Sequence, residues 1–313
     1  MTHSGAAAPA VQSALHAFID YAGLFPPAEL GMARAADRYD EARRGRFSWV
    51  LGRFVVPASR LGEIAAAAEG REPFDLSVIL DAGDDPVRWL DNVAKVLDLV
   101  GSVRDRESAV RIGSLEMRIP QLQNERDTFD APIGQFGMLA ASAGVRDLPI
   151  FVEIPRGPRW GVEVPSALFA LSRSKLGAKV RCGGASSADI PTSLELAQFV
   201  ATATEHSLLW KATAGLHHPV RRSDASTGLL MHGFLNLLCA AVFARPGTAV
   251  NELQKILEEE DSGAFALDAS GLTYGERHAS AEEIAAARRH GFVSYGSCSF
   301  DEPIADLAEC GVL

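Results

Sequence analysis

Eight short apolar runs alternate with stretches of helical periodicity along this chain, and the alternation limits its fold more than any other feature. The runs occupy residues 48–57, 75–80, 109–120, 150–155, 178–184, 208–215, 264–268 and 292–297, and most are closed by Gly or Pro. Runs of that length, bounded by turn residues, read as buried strands. Helical patterns fill most of the gaps, at 60–69, 86–100, 135–143, 165–176, 193–205, 229–244 and 280–290. Strand followed by helix, repeated along a chain, builds a parallel sheet with helices on its face, and the closed form of that sheet is a barrel. The expectation is an α/β fold, a (β/α)8 TIM-like barrel, and 313 residues suit a single core of that kind. The run at 264–268 lies among polar residues, which leaves residues 18–25 as the alternative eighth strand. Residues 10–19 and 29–44 carry helical spacing on either side of Tyr21-Ala22-Gly23-Leu24-Phe25-Pro26-Pro27. Residues 1–47 therefore read as an N-terminal helical extension packed on the barrel of residues 48–313.

The formal charge of −10 speaks against a sequence-independent nucleic-acid binder, which needs a basic surface to neutralise phosphates. No apolar run reaches the length of a membrane span, and residues 1–9 lack the basic start and apolar centre of a secretory leader. A cytoplasmic protein with small-molecule partners is expected. Cys182, Cys239, Cys298 and Cys310 show neither a CxxC pair nor a regular spacing, so no structural zinc site or disulfide framework is suggested. The apolar helix at 229–244 suits a homo-oligomer contact and equally suits burial within the monomer.

Charge inside an apolar strand is costly unless it is paired or used. Several runs carry charges amid apolar residues: Arg53, Glu116, Arg118, Glu153, Lys179, Arg181 and Lys211. Side chains alternate along a strand, so Glu116 shares a face with Arg118, Lys179 with Arg181, and Arg53 with Leu51 and Val55. Barrels carry their sites near the C-terminal ends of the strands, where five bases against two acids would attract a small anionic substrate, a phosphate or a carboxylate. Arg53, Lys179 and Arg181 are the expected substrate-binding cations. The alternative is that each is an ion-paired charge plugging the barrel.

Lys211, in Leu208-Leu209-Trp210-Lys211-Ala212-Thr213-Ala214-Gly215, is the first candidate for chemistry. A desolvated lysine loses part of its proton affinity, and as a free amine it forms a Schiff base with a carbonyl. Glu153, at the end of an apolar run before Pro155, is a candidate for moving the proton. Burial would raise its pKa, and a salt bridge to Arg181 or Lys211 would lower it. His217 is a second acid/base candidate, because imidazole titrates near neutrality, and His218 is expected at the substrate. Neighbouring histidines point apart, so no cofactor is expected. The alternative is a divalent metal ion held by His217, His218 or His232 with Glu153 or Asp81, in a hydrolase or isomerase. Gly183 and Gly184 after Arg181, and Gly296 with Ser297 in the last run, would let backbone amides approach an anion, or would simply turn the chain. Cys182 and Cys298 read as small core residues, and Tyr21 as part of a lid or as a packing residue.

Three segments, Ala178-Lys179-Val180-Arg181-Cys182-Gly183-Gly184, Lys211-Ala212-Thr213-Ala214-Gly215 and Gly296-Ser297-Cys298-Ser299, resemble the class I aldolase barrels, most of all the deoxyribose-phosphate aldolase family. In that family, late strands end in lysines followed by small residues, and the final strand ends in a Gly-Ser phosphate grip. The resemblance spans residues 178–299 and implies a barrel in which Lys211 is the Schiff-base lysine or its electrostatic neighbour and Ser297 with Gly296 holds phosphate. Arg181 stands where the family places a lysine, and the His217-His218 pair has no counterpart there. The expected function is a lyase or aldolase-type enzyme acting on a small anionic carbonyl compound through a Schiff-base lysine. A metal-dependent barrel enzyme and a non-catalytic anion-binding barrel subunit are the alternatives.

Overall fold

A computed structural model describes residues 7–124, 126–184, 186–224 and 227–313. Eight parallel strands close into a barrel: β1 (Ile19–Tyr21), β2 (Leu51–Pro57), β3 (Phe74–Leu80), β4 (Val110–Arg118), β5 (Ile150–Glu153), β6 (Gly177–Arg181), β7 (Trp210–Thr213) and β8 (Phe292–Ser297). Each pairs with the next in the chain, and β8 returns to β1 to complete the ring. The helices are α1 (Pro9–Leu15), α2 (Met32–Arg44), α3 (Leu61–Ala68), α4 (Trp89–Arg106), α5 (Asp130–Ser142), α6 (Trp160–Arg173), α7 (Ser193–Glu205), α8 (Phe234–Phe243), α9 (Val250–Glu258), α10 (Ala281–His290) and α11 (Asp301–Glu309). Among the described residues no helix is long and apolar enough to cross a membrane.

Local sequence explains these elements. On β4, Leu115 and Met117 are buried toward the helices while Ser114 and Glu116 contact residues inside the barrel, the two-residue alternation of a strand. Thr192 caps α7 and Ser280 caps α10, each with a glutamate three residues on that returns a bond to the cap's backbone. α9 buries Leu253, Ile256 and Leu257, one stripe at helical spacing. α1 buries Ala10, Val11, Ala14 and Leu15 and packs against α10. Arg288 of α10 fixes that contact by donating to the carbonyls of Ala14, His16 and Val293, with its guanidinium 4.4 Å from the Phe18 ring centroid.

The eighth strand differs from the first of the two sequence readings. Phe265–Leu267 pairs antiparallel with Leu272–Tyr274 in a small separate sheet, and β1 takes the place in the barrel. Burial separates the two segments: all three residues of β1 are buried, whereas Ala266 between Phe265 and Leu267 is exposed. A barrel strand is covered on both faces and a one-sided strand is not. The expected boundary at residue 47 consequently lies beyond the first barrel strand, so residues 1–47 hold β1 as well as α1 and α2.

Candidate active site

Every barrel strand sends a group into one buried polar network. Lys211 Nζ on β7 lies 2.7 Å from Asp20 Oδ2 and 2.6 Å from Glu116 Oε1, and it donates to Ser77 Oγ at 3.1 Å. Lys179 Nζ on β6 lies 2.8 Å from Glu116 Oε2 and 3.1 Å from Glu153 Oε2. The register places Lys179 beside Lys211, so each oxygen of the Glu116 carboxylate faces one ammonium group. Ser77 donates to Glu116 Oε1 at 2.6 Å and contacts Ser114 Oγ at 2.8 Å. Asp20 accepts the Arg53 backbone N–H at 2.6 Å and the Ser294 hydroxyl at 2.7 Å. Gly52 makes room for this carboxylate, since a Cβ there would lie 2.3 Å from Asp20 Oδ1.

The pairing answers the cost of burial. Lys211 is 1% exposed and Glu116 3%, depths at which an unpaired charge is not tolerated. Burial works against charge on Glu116, but the ammonium groups of Lys179 and Lys211 outweigh it and hold its carboxyl well below the usual carboxylate range. Burial likewise opposes charge on Lys179, and Glu116 and Glu153 overcome it, raising its pKa. The Phe151 ring, 5.5 Å from Lys211 Nζ, adds a cation–π contact.

A cavity of about 630 Å3 opens above this network at the C-terminal ends of the strands. Glu116, Lys179 and Lys211 line it together with Arg181, Val55, Ile79 and Thr213, and Ala22, Phe25, Pro26 and Pro27 enclose the β1 side. Asp224, Thr227, Leu229 and Met231, from the chain between β7 and α8, also face it. The volume suits a small molecule, and the place is where barrels assemble their sites. A second hollow of about 220 Å3 lies at the opposite ends of β5, β6 and β7, beside Lys175 and His206, without a comparable convergence of charge.

Arg53 does not line the cavity. It shares a face with Val55, which does, but sits one layer deeper, and its guanidinium lies against Gly113, where a Cβ would come within 2.5 Å of Nε. Glu153 is also absent from the cavity wall. Burial would raise its pKa, yet Lys179, Arg181 and Arg118 lower it, so of the two readings the ion pair is found. Counting Asp20, four bases face three acids, and the expected excess of three positive charges shrinks to one.

His217 lines the cavity with Nδ1 3.1 Å from Glu302, while Nδ1 of His218 lies 2.5 Å from Asp306, away from the lining. His232 is buried elsewhere, its Nε2 donating to the Pro191 carbonyl at 2.6 Å, and burial pushes its pKa down to about 4. Asp81 accepts the Ser59 N–H at 3.2 Å. Among the described residues no group of three or more His, Cys, Asp or Glu side chains is placed to hold a metal ion.

Gly184, Gly296 and Ser297 line the cavity, and Gly183 packs its backbone on Gly215. The Ser297 hydroxyl accepts the Ser299 N–H at 3.3 Å. Tyr21 packs outside the barrel, its ring centroid 6.1 Å from that of Tyr39 and 5.5 Å from that of Phe54. Cys182 is a core residue whose thiol burial pushes up to about 12, whereas Cys298 reaches the cavity wall. Sequence reasoning did not find Asp20, Ser77 or Ser294, and it counted Glu116 among the charges at the barrel mouth without giving it a role. The signal for Asp20 is an acid flanked by Ile19 and Tyr21, in a segment too short to stand out as a strand.

No protein-family model and no curated protein sequence matches this chain. A weak structural resemblance is found to a class I aldolase barrel. Deoxyribose phosphate aldolase from Aeropyrum pernix, described as having a tetrameric structure, matches with a TM-score of 0.47 and 14% identity over 66% of this chain and 80% of that chain.

Proposed function

We propose that this barrel is an aldol-type lyase acting on a small anionic carbonyl compound through an iminium on Lys211. The observation that carries the proposal is the lysine pair sharing one buried carboxylate at the floor of the cavity. Lys179 is paired with Lys211 in the strand register, and the two ammonium groups converge on the Glu116 carboxylate. Asp20 and Glu116, both within hydrogen-bonding distance of Lys211 Nζ, fix its position at the cavity floor, and its proton leaves to solvent before the amine reacts.

The free amine of Lys211 adds to the substrate carbonyl carbon, and the carbonyl oxygen leaves as water once two protons reach it. In the cleavage direction the bond between the α and β carbons breaks, and its electron pair moves into the resulting enamine. The β-hydroxyl gives up its proton and departs as an aldehyde. His217, on the cavity wall with Glu302 orienting its ring, is placed to take that proton, a role worth about 10²–10⁴ in rate. Glu153 positions Lys179 and contributes through it. Arg181, on the cavity wall and half exposed, attracts the anionic end of the substrate.

The complete pairing of both ammonium groups favours a second reading, in which the barrel binds an anion without converting it. Borohydride reduction in the presence of small carbonyl acids and sugar phosphates, followed by peptide mass mapping, separates the two. A reduced adduct on Lys211, lost in Lys211→Met, is the expected result. An adduct on Lys179 would move the nucleophile one strand over, and the absence of any adduct with a ligand that binds would leave the non-catalytic reading.

A further inference from the structure

Arg118 ends β4 on the same side of the strand as Ser114 and Glu116, and Arg181 ends β6 on the same side as Lys179. Both therefore stand one layer above the lysine network. Between them β5 ends in Glu153, whose Oε1 lies 3.5 Å from Arg181 Nε and 3.9 Å from Arg118 Nε. The other oxygen, Oε2, is taken by Lys179. One carboxylate thus faces three cations, and neither guanidinium is close enough to hydrogen bond to it. Arg181 makes one long bond, from Nη1 to the Gly183 carbonyl at 3.4 Å, and the Arg118 guanidinium makes none among the described residues. Arg181 lines the cavity and Arg118 stands just outside its lining, across Glu153; their side chains are 50% and 53% exposed respectively, so their N–H forks remain open to a ligand at that rim.

The opposite rim is less suited to an anion. The Ser297 hydroxyl is buried and offers a single O–H donor, and α11 begins with Asp301 and Glu302, which place negative charge at the helix end that would otherwise favour an anion. Guanidinium forks match the oxygens of phosphate and carboxylate with paired hydrogen bonds, which a hydroxyl and two glycines do not.

We propose that Arg118 and Arg181 clamp the oxyanion of the substrate, a terminal phosphate or carboxylate, on the β4–β6 side of the cavity and away from Gly296 and Ser297. This rests on reading the cavity as the substrate site, and it names Arg118 as a specificity residue. With the anion fixed there, the carbonyl extends toward Lys211 across the floor of the cavity.

Inorganic phosphate is the probe for the clamp, with acetate beside it to distinguish a phosphate from a carboxylate site. Calorimetric titration of the full chain is expected to show binding that Arg118→Gln and Arg181→Gln each weaken about tenfold or more, the usual cost of losing a charge-assisted hydrogen bond. Circular dichroism on the same samples checks that both variants stay folded. Unchanged affinity in Arg118→Gln, a loss carried by Ser297→Ala instead, or no binding of either anion would overturn the clamp. Neither probe anion forms an iminium, so the result is separable from the chemistry of Lys211. Arginine-dependent binding without a borohydride adduct refutes the iminium alone, and an adduct without arginine dependence refutes the clamp alone.

Discussion

Replacing Glu116 by glutamine keeps the shape of the side chain and removes the charge that two ammonium groups share. Lys211 retains Asp20 and Lys179 retains Glu153, so neither lysine is left wholly unpaired. Removing one partner of a buried ion pair costs about 3–5 kcal/mol, and the surviving partners place Glu116→Gln at the lower end, about 3 kcal/mol. With an unfolding entropy of about 2.1 cal/mol/K per residue over 313 residues, that amounts to a Tm lower by about 5 °C. The pH dependence is a sharper test. The Glu116 carboxyl is held below the ordinary range in the folded protein, so the unfolded chain binds the extra proton first as pH falls. Its contribution is present above the unfolded value of about 4.3 and is lost as pH falls toward the folded one. The gap between wild type and variant should be full at pH 7 and should narrow below about pH 4.3. Denaturant unfolding from pH 7 down to about pH 2, with m-values compared, reads both quantities. A variant within about 0.5 kcal/mol of wild type at pH 7, the scatter expected of a surface change, would refute the shared-carboxylate account.

Two further substitutions probe other parts of the molecule. His232→Gln keeps a donor for the Pro191 carbonyl and removes a buried titration. Wild-type stability should fall by about 3 kcal/mol as pH drops from 6.5 to 4, because the unfolded chain protonates first, and the variant should lack that slope. An NMR titration placing His232 near 6.5 would contradict its burial. Gly183→Ala puts a Cβ 2.6 Å from Gly215 Cα, a backbone atom that cannot turn aside, and should cost about 1–3 kcal/mol in a thermal melt. An unchanged melting temperature would mean that the β6 and β7 loops can separate.

The barrel was legible because most of its strands are continuous apolar runs buried on both faces. β1 was less so, since three residues are too few for a periodic signal and the helical spacing on either side masks them. Phe265–Leu267 imitated a barrel strand because two large apolar residues separated by one give the same local pattern in a one-sided sheet. In the site, Lys211, Lys179 and Arg181 stood out as charges in apolar surroundings. Alternation also assigned Arg53 to the interior face but says nothing about depth, and depth decides whether a side chain reaches the cavity. Ser77 and Ser294 carried no signal, because a serine in a strand is ordinary until a charge is found beside it. Asp20 meets Lys211 only through the closure of the ring, a relation that no local pattern encodes.

The bond from Ser294 to Asp20 joins residues 274 positions apart. During synthesis at about 5–20 residues per second, Asp20 leaves the ribosome roughly 14 to 55 s before its partner exists. The sheet cannot close until β8 is made, and once β7 has emerged β1 and β7 are its open edges, with the future floor of the cavity in water. Any ligand that recognises the finished network is blind to the growing chain, so occupancy of this cavity would report on completed molecules alone.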